Sequence, residues 1–288
     1  VPTLSLAVLP IRRLTPRDVT VCADLSEDRG WPREEHKWGL LLAAGQGYGI
    51  DDPEGGLVGA CVVTEYGPHG RPDLGAVGMV LVAARHARQG VGRRLMRHVV
   101  AGAGTTPLTL YATPNGRPLY EELGFKVTGR AETVRGRFLP DASETGVGTR
   151  AATAEDLVSI LRLDAEVFGS DRTHVITRLP AFSDRIRVAH EDGRLVGYAA
   201  AWPNMETHVV GPLIARDTRT AKALVSALAE GGDRPLRTDI DVRHEELLAW
   251  LEERGLETVG SNAVMTYGVP DLPGDWTRRF APLTVAAG

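Results

Sequence analysis

Apolar residues along this chain follow two periods, and the switch between them lays out its elements. Residues 57–63, Leu-Val-Gly-Ala-Cys-Val-Val, are apolar without a break. That is too uniform for a strand with one wet face and predicts a central strand in a sheet covered by helices. The surrounding pattern predicts strands near 5–14, 46–51, 57–66, 75–83, 107–112 and 124–138, the last belonging to a closing hairpin. Helices are expected near 16–27, 33–44, 90–103 and 116–123. Asp52-Pro-Glu-Gly-Gly56 and Glu191-Asp-Gly193 read as turns that place glycine where positive φ is cheap.

The same order of elements then recurs. Thr15-Pro-Arg-Asp18 reappears 138 residues on as Thr153-Ala-Glu-Asp156, both sequences of the kind that cap a helix. Leu57-Val-Gly59 returns as Leu195-Val-Gly197, Leu81-Val-Ala83 as Leu213-Ile-Ala215, and Glu121-Glu-Leu-Gly124 as Glu252-Glu-Arg-Gly255. The offset drifts by a few residues, as small insertions would make it. A duplicated α/β unit is expected, with a polar linker near 141–148 dividing residues 1–142 from 146–288.

The most distinctive chemistry lies at 78–93. An apolar strand runs into Arg88-Gln-Gly-Val-Gly-Arg93, which opens a basic helix. Gly90 and Gly92 let the backbone approach a ligand, and the unpaired amides of a first helical turn, at the positive end of its dipole, suit phosphate oxygens. Arg88, Arg93 and Arg94 add charge. The spacing is neither the Gly-x-Gly-x-x-Gly of a dinucleotide site nor the loop of a nucleoside triphosphate site.

About 30 residues later stands Leu119-Tyr-Glu-Glu-Leu-Gly-Phe125. Together with Val80-Leu-Val82 and the Gly-Val-Gly turn, these residues resemble the GNAT (GCN5-related N-acetyltransferase) superfamily, here as a tandem whose second copy is degenerate. The resemblance implies an α/β (α+β) fold of two GNAT-like domains, each a mixed, mostly antiparallel twisted sheet flanked by helices. It implies acetyl-CoA as co-substrate, bound by the main chain of Val80, Leu81 and Val82 and by Arg88, Gln89, Gly90, Val91, Gly92 and Arg93. Thr113 stands where the family often has an Asn facing the cofactor, and Ala87 where it has Gln or Arg.

The implied reaction is attack of a neutral amine on a thioester, with the oxyanion held by a strand amide such as that of Val82. Tyr120 is the implied general acid, because a phenol of pKa about 10 is protonated at neutral pH and can donate to a departing thiolate of pKa about 8.5. Asp73 and Glu65 are alternative bases. Trp31, Pro32, His36 and Trp38 occupy the stretch that walls the acceptor site in the family, and read equally as packing. Phe168-Gly-Ser-Asp-Arg172 leaves Asp171 and Arg172 either paired structurally or in contact with acceptor.

The second copy lacks the chemistry. Arg216-Asp-Thr-Arg-Thr-Ala-Lys-Ala-Leu224 has no Gly-x-Gly, and Leu251 stands where the first copy has Tyr120. Transfer is therefore expected from the first half only.

Bulk properties narrow the partners. The 288 residues carry a formal charge of −4, which provides no global field for nucleic acid or anionic lipid. No run approaches 18 apolar residues, and residues 1–11 read as a strand rather than a signal peptide, so a cytoplasmic protein without membrane contact is expected. Cys22 and Cys61 are too few for a disulfide framework or a zinc site and are expected as small buried side chains. No metal is expected. The leading reading is N-acetylation of a small-molecule amine. A non-catalytic acyl-CoA sensor and a longer-chain acyltransferase are the alternatives.

Overall fold

The capping sequences that opened each repeat start each half in the same way. In this computed structural model, which describes residues 6–140 and 146–288, Asp18 and Asp156 each accept the backbone amide of the capping threonine, Thr15 and Thr153, at 2.8 Å. Arg12 and Arg150 pin the two carboxylates. Serine 5 of the expected first strand and residues 141–145 of the expected linker lie outside the described residues.

The first half contains β1 (Ile11–Leu14), α1 (Val19–Asp28), α2 (Glu35–Ala44), β2 (Gln46–Asp51), β3 (Leu57–Tyr66) and β4 (Leu74–Val82). It continues with α3 (Val91–Ala103), β5 (Leu108–Ala112), α4 (Arg117–Glu122) and β6 (Lys126–Gly136). The second half contains β7 (Thr149–Ala151), α5 (Leu157–Phe168), α6 (Thr173–Ile176), α7 (Leu179–Phe182), β8 (Arg185–Glu191), β9 (Arg194–Asn204) and β10 (Thr207–Ala215). It ends with α8 (Thr218–Ala229), β11 (Leu236–Asp241), α9 (Glu245–Glu253), β12 (Leu256–Tyr267) and β13 (Arg279–Ala281). The expected strands at 46–51 and 57–66 match residue for residue. The first strand is shorter than expected, because residues 6–9 form a turn and bend before β1.

Side chains along β3 sort the layers. Leu57, Ala60 and Val62 pack with α1 and α2, while Val58, Cys61 and Val63 pack with α3 and α4. In α3 the buried positions Val91, Leu95, Met96 and Val99 make one stripe against the sheet; burying Leu95 and Met96 stabilises the fold by about 1.5–3 kcal/mol each. In the second half α5, α6 and α7 share the face of α1 and α2, and α8 and α9 share that of α3 and α4.

One continuous sheet joins the halves, in the order β1-β2-β3-β4-β5-β12-β6-β11-β10-β9-β8-β7. The closing hairpin expected at 124–138 is not formed. Residues 126–136 are a single strand, and β6 pairs with β12 and with β11 of the second half, while β12 pairs with β5 of the first. Each half thus completes the other's sheet. No tight turn interrupts 126–136, so this stretch cannot double back, and its ladder partner has to come from elsewhere in the chain.

Candidate active site

The first half holds an open cleft between two strands. β4 and β5 run parallel but pair only from Gly75–Leu108 to Val77–Leu110. At the next step Met79 takes a left-handed conformation, φ 52°, and the register of β4 against β3 slips between Ala60 and Val62. Such a bulge adds twist and turns the strand away from its neighbour. The Ala83 amide donates to Val58 on the β3 side. By alternation, the main-chain groups of Val82 and Val80 face the cleft, and those of Leu81 face β3. This corrects the expectation for Leu81, which supports the cleft wall with its buried side chain rather than lining it with its backbone. Val80 and Val82 are half-buried, with their side chains on the α3 face.

The cleft leads to the glycine turn that opens α3. Gly90 is left-handed at φ +80°, and nothing lies within 4 Å of where its Cβ would stand. α3 begins one residue on, leaving the amides of Val91, Gly92 and Arg93 without helical acceptors. A Cβ on Gly92 would lie 3.4 Å from Leu119 and 3.6 Å from Val82, ordinary packing distances that place the start of α3 against α4 and the end of β4. Arg88 is exposed and left-handed, φ 61°, beside Ala87. Gln89 donates to the Arg85 carbonyl, Arg93 pairs with Glu122, and Arg94 donates to the carbonyls of Leu6 and Leu9. Before this turn, Asp52 holds both Arg85 and His86. Although burial opposes it, the Glu54 amide, His86 and Arg85 keep the Asp52 carboxyl below the usual carboxylate range.

Tyr120 is buried in the cluster of Cys61, Val77, Leu110 and Phe125, on the α3 side of the cleft. Its ring lies 3.1 Å from the Cβ position of Gly116, and its hydroxyl has no hydrogen-bond partner among the described residues. Burial raises its pKa well above that of an ordinary phenol, so it stays protonated. Thr113, at the end of β5, accepts the Gly116 amide at 3.3 Å and so shapes the turn into α4. Cys61 and Cys22 are buried thiols whose pKa burial pushes up to about 12, the state of packing residues rather than nucleophiles.

Other expected residues fall elsewhere. Glu65 pairs in register with Gly75, three residues short of Gly78, and accepts from Gln46. Asp73 sits in the turn before β4 and accepts from Ser170. Neither reaches the splay. Trp38 is fully buried and donates to Ser26 within the first half, while His36 stacks on Phe182 of the second half at 4.3 Å. Trp31 is exposed. Arg172 pairs with Asp164, both contacts at 2.8 Å, and Asp171 accepts the Thr173 amide.

The equivalent cleft in the second half is filled. β10 and β11 pair from His208–Leu236 to Val210–Thr238 and then part. Into that gap runs β13, with Leu213 opposite Ala281 and Ile214 opposite Arg279. At the start of α8, Asp217 accepts the Thr220 amide at 2.8 Å, placing a carboxylate where the first half presents its glycine turn. Leu251 is fully buried core. Sequence reasoning did not identify β13: its three residues carry no periodic signal.

Comparison with known proteins identifies the family and the fold. Two models described as acetyltransferase (GNAT) domains match residues 44–127 and 160–281. The chain is 27% identical over 242 residues, 83% of its length and 84% of the relative's, to the uncharacterized N-acetyltransferase YitH of Bacillus subtilis. A putative acetyltransferase from Pyrococcus horikoshii superposes with a TM-score of 0.81 at 19% identity, covering 100% of this chain and 99% of that one. A tandem GNAT protein from the clavulanic acid biosynthesis pathway superposes at 0.65 and 16% identity, covering 91% and 99%.

Proposed function

Since the chain belongs to the GNAT acetyltransferase family and carries two of its domains in tandem, we propose that it is an N-acetyltransferase whose first half alone binds acetyl-CoA and transfers the acetyl group to a small-molecule amine. The observation that carries this reading is the unpaired edge of β4 from Gly78 to Val82, which ends at the Gly90-Val91-Gly92 cradle beside a free Tyr120 hydroxyl. Pantetheine would lie along Val80 and Val82, with the pyrophosphate at the start of α3.

The amine nitrogen attacks the thioester carbonyl, whose developing oxyanion is met by a cleft-facing strand amide, that of Val80 or Val82. As the carbon–sulfur bond breaks, Tyr120 protonates the departing thiolate, and the proton lost from the amine nitrogen passes to water, from which the phenol is reprotonated. Holding both reactants in the cleft supplies much of the remaining acceleration. On the far side of the splay, Ala286 and Ala287 pack with Met79 and Leu81. That leaves little room beyond the thioester carbon and favours a short acyl group over a long chain.

Release of coenzyme A thiol across a panel of amines tests the proposal. Acetyl-CoA binding without turnover on any amine would favour a sensor instead. Among the described residues no helix is long and apolar enough to cross a membrane.

A further inference from the structure

The two halves differ in how they build the second helix of the repeat, and the difference leaves a cavity. In the first half that element is the single helix α2, and in the second it is split into α6 and α7. Matching hydrogen bonds fix the equivalence. The Trp38 amide donates to the Glu34 carbonyl and, 138 residues on, the Ile176 amide donates to that of Arg172, both at 3.0 Å. Gly45 likewise donates to Leu41, and Ser183 to Leu179, both at 2.8 Å. The counterpart of Leu42 is therefore Pro180. Proline has no amide to offer the carbonyl four residues back, so the helix breaks there.

Three positions that pack on one another in the first half are remade in the second. Gly47 pairs in register with Leu14, and a Cβ on it would lie 2.5 Å from the Leu42 side chain and 2.8 Å from that of Leu14. The two leucines thus close over β2. Their counterparts are Ala152 and Pro180, and Ile186 stands opposite Ala152 where the first half has Gly47. With the leucine side chains gone and the helix split, a cavity of about 250 Å³ opens, lined by Ala152, Pro180 and Ile186 together with Ile160, Ile176 and Leu179. The last three are buried and form its floor, while Ala154 and Pro180 are exposed at its mouth. No charged side chain lines it, and Thr153, its one polar residue, already directs its hydroxyl to Asp156 at 3.2 Å.

We propose that this cavity binds a small neutral aromatic molecule, of one ring or of two fused rings. Size, charge and the duplicate half each narrow the occupant. An apolar cavity of about 150 Å³ stays dry and takes up benzene, so one of about 250 Å³ has room for a substituted ring or an indole. Side chains without charge or a free hydrogen-bonding group reject carboxylates, phosphates and ammonium groups, which would give up their water without recompense. In the first half the chain itself buries an indole at the place of Ile176, that of Trp38, wholly out of solvent. The cavity belongs to the second half, apart from β4 and α3, so the site is independent of the acetyl transfer proposed above.

Calorimetry on the full chain tests it, with toluene and indole as neutral probes and benzoate as the charged match to toluene. Wild type is expected to bind both neutral probes saturably, and benzoate at least about tenfold more weakly. Ala152→Leu restores the side chain of the first half and should weaken both neutral probes at least about tenfold by filling the space. Leu157→Phe fills the same cavity from α5 and serves if the leucine variant does not fold. Acetyl-CoA affinity should stay within about twofold in either variant and with probe bound, because the two sites share no residue. The proposal is overturned if neither neutral probe binds saturably or if benzoate binds as well as toluene. Binding that survives both filling variants, or competition between probe and acetyl-CoA, overturns it equally.

Discussion

Leu213 on β10 is paired with Ala281 on β13, whereas its counterpart in the first half, Leu81, sits past the last β4–β5 pair, where β4 is paired on the β3 side alone. The same parting of strands thus has two outcomes. In one half it is an open cleft, and in the other the chain itself takes the place expected for pantetheine.

The two helix starts beyond those clefts can be interchanged in part. Gly90→Asp gives the first half an acidic residue at its helix start, as Asp217 does in the second. It also forces a side chain into a left-handed conformation, which costs about 1–2 kcal/mol, and sets a negative charge against the pyrophosphate. Nothing crowds the site, so the fold should survive. Calorimetry is expected to show acetyl-CoA affinity falling at least about tenfold, with an unchanged far-UV spectrum.

Tyr120→Phe removes the proposed acid and little else, because the hydroxyl has no protein partner among the described residues. A kcat loss of about a hundredfold is expected, the lower end of general acid catalysis, with acetyl-CoA affinity nearly unchanged. Burial holds the phenol protonated far above neutrality. Wild-type kcat should therefore show no alkaline fall from this group below about pH 10. An alkaline limb that disappears in the Phe variant would contradict the assigned protonation state.

Acid should destabilise both halves through their capping carboxylates. The Arg12 guanidinium holds Asp18, and that of Arg150 holds Asp156, below the usual carboxylate range. A folded pKa lower than the unfolded one stabilises the protein above the unfolded value of about 3.9. That contribution is lost as pH falls through the folded pKa. Urea titrations from pH 6 to pH 2 should show the loss, and Asp156→Asn should flatten it while costing about 1 kcal/mol at neutral pH.

Strand exchange makes the halves interdependent. Expressed separately, residues 1–140 would expose β5 and β6 as unpaired edges, and residues 146–288 would expose β11 and β12. Each fragment alone should aggregate or remain unfolded. Co-expression should restore a soluble complex that binds acetyl-CoA, as size-exclusion chromatography and calorimetry would show.

The contrast between what was legible in the sequence and what was not follows from how each feature is encoded. Strands 46–51 and 57–66 could be read because apolar runs and turn residues are local, and the start of α3 at Gly90 because paired glycines before a basic amphipathic run mark a helix opening. The exchange of β6 and β12 was hidden, since a strand's own pattern shows which face is buried and not which strand lies beside it. Met79 gives no hint of a left-handed bulge, because methionine has no preference for one. Arg279 looks like any surface arginine until β13 carries it inside. Glu65 and Asp73 were placed near the site by their proximity in sequence to β4, but the strand carries the cleft several residues further on.

Hydrogen–deuterium exchange with and without acetyl-CoA tests the central claim most directly, because it reads both clefts in one sample. Protection is expected at Val80, Val82 and the amides of residues 91–93, with none at residues 213–220. Protection at 213–220, or none along β4 and the start of α3 at saturating acetyl-CoA, would contradict the account.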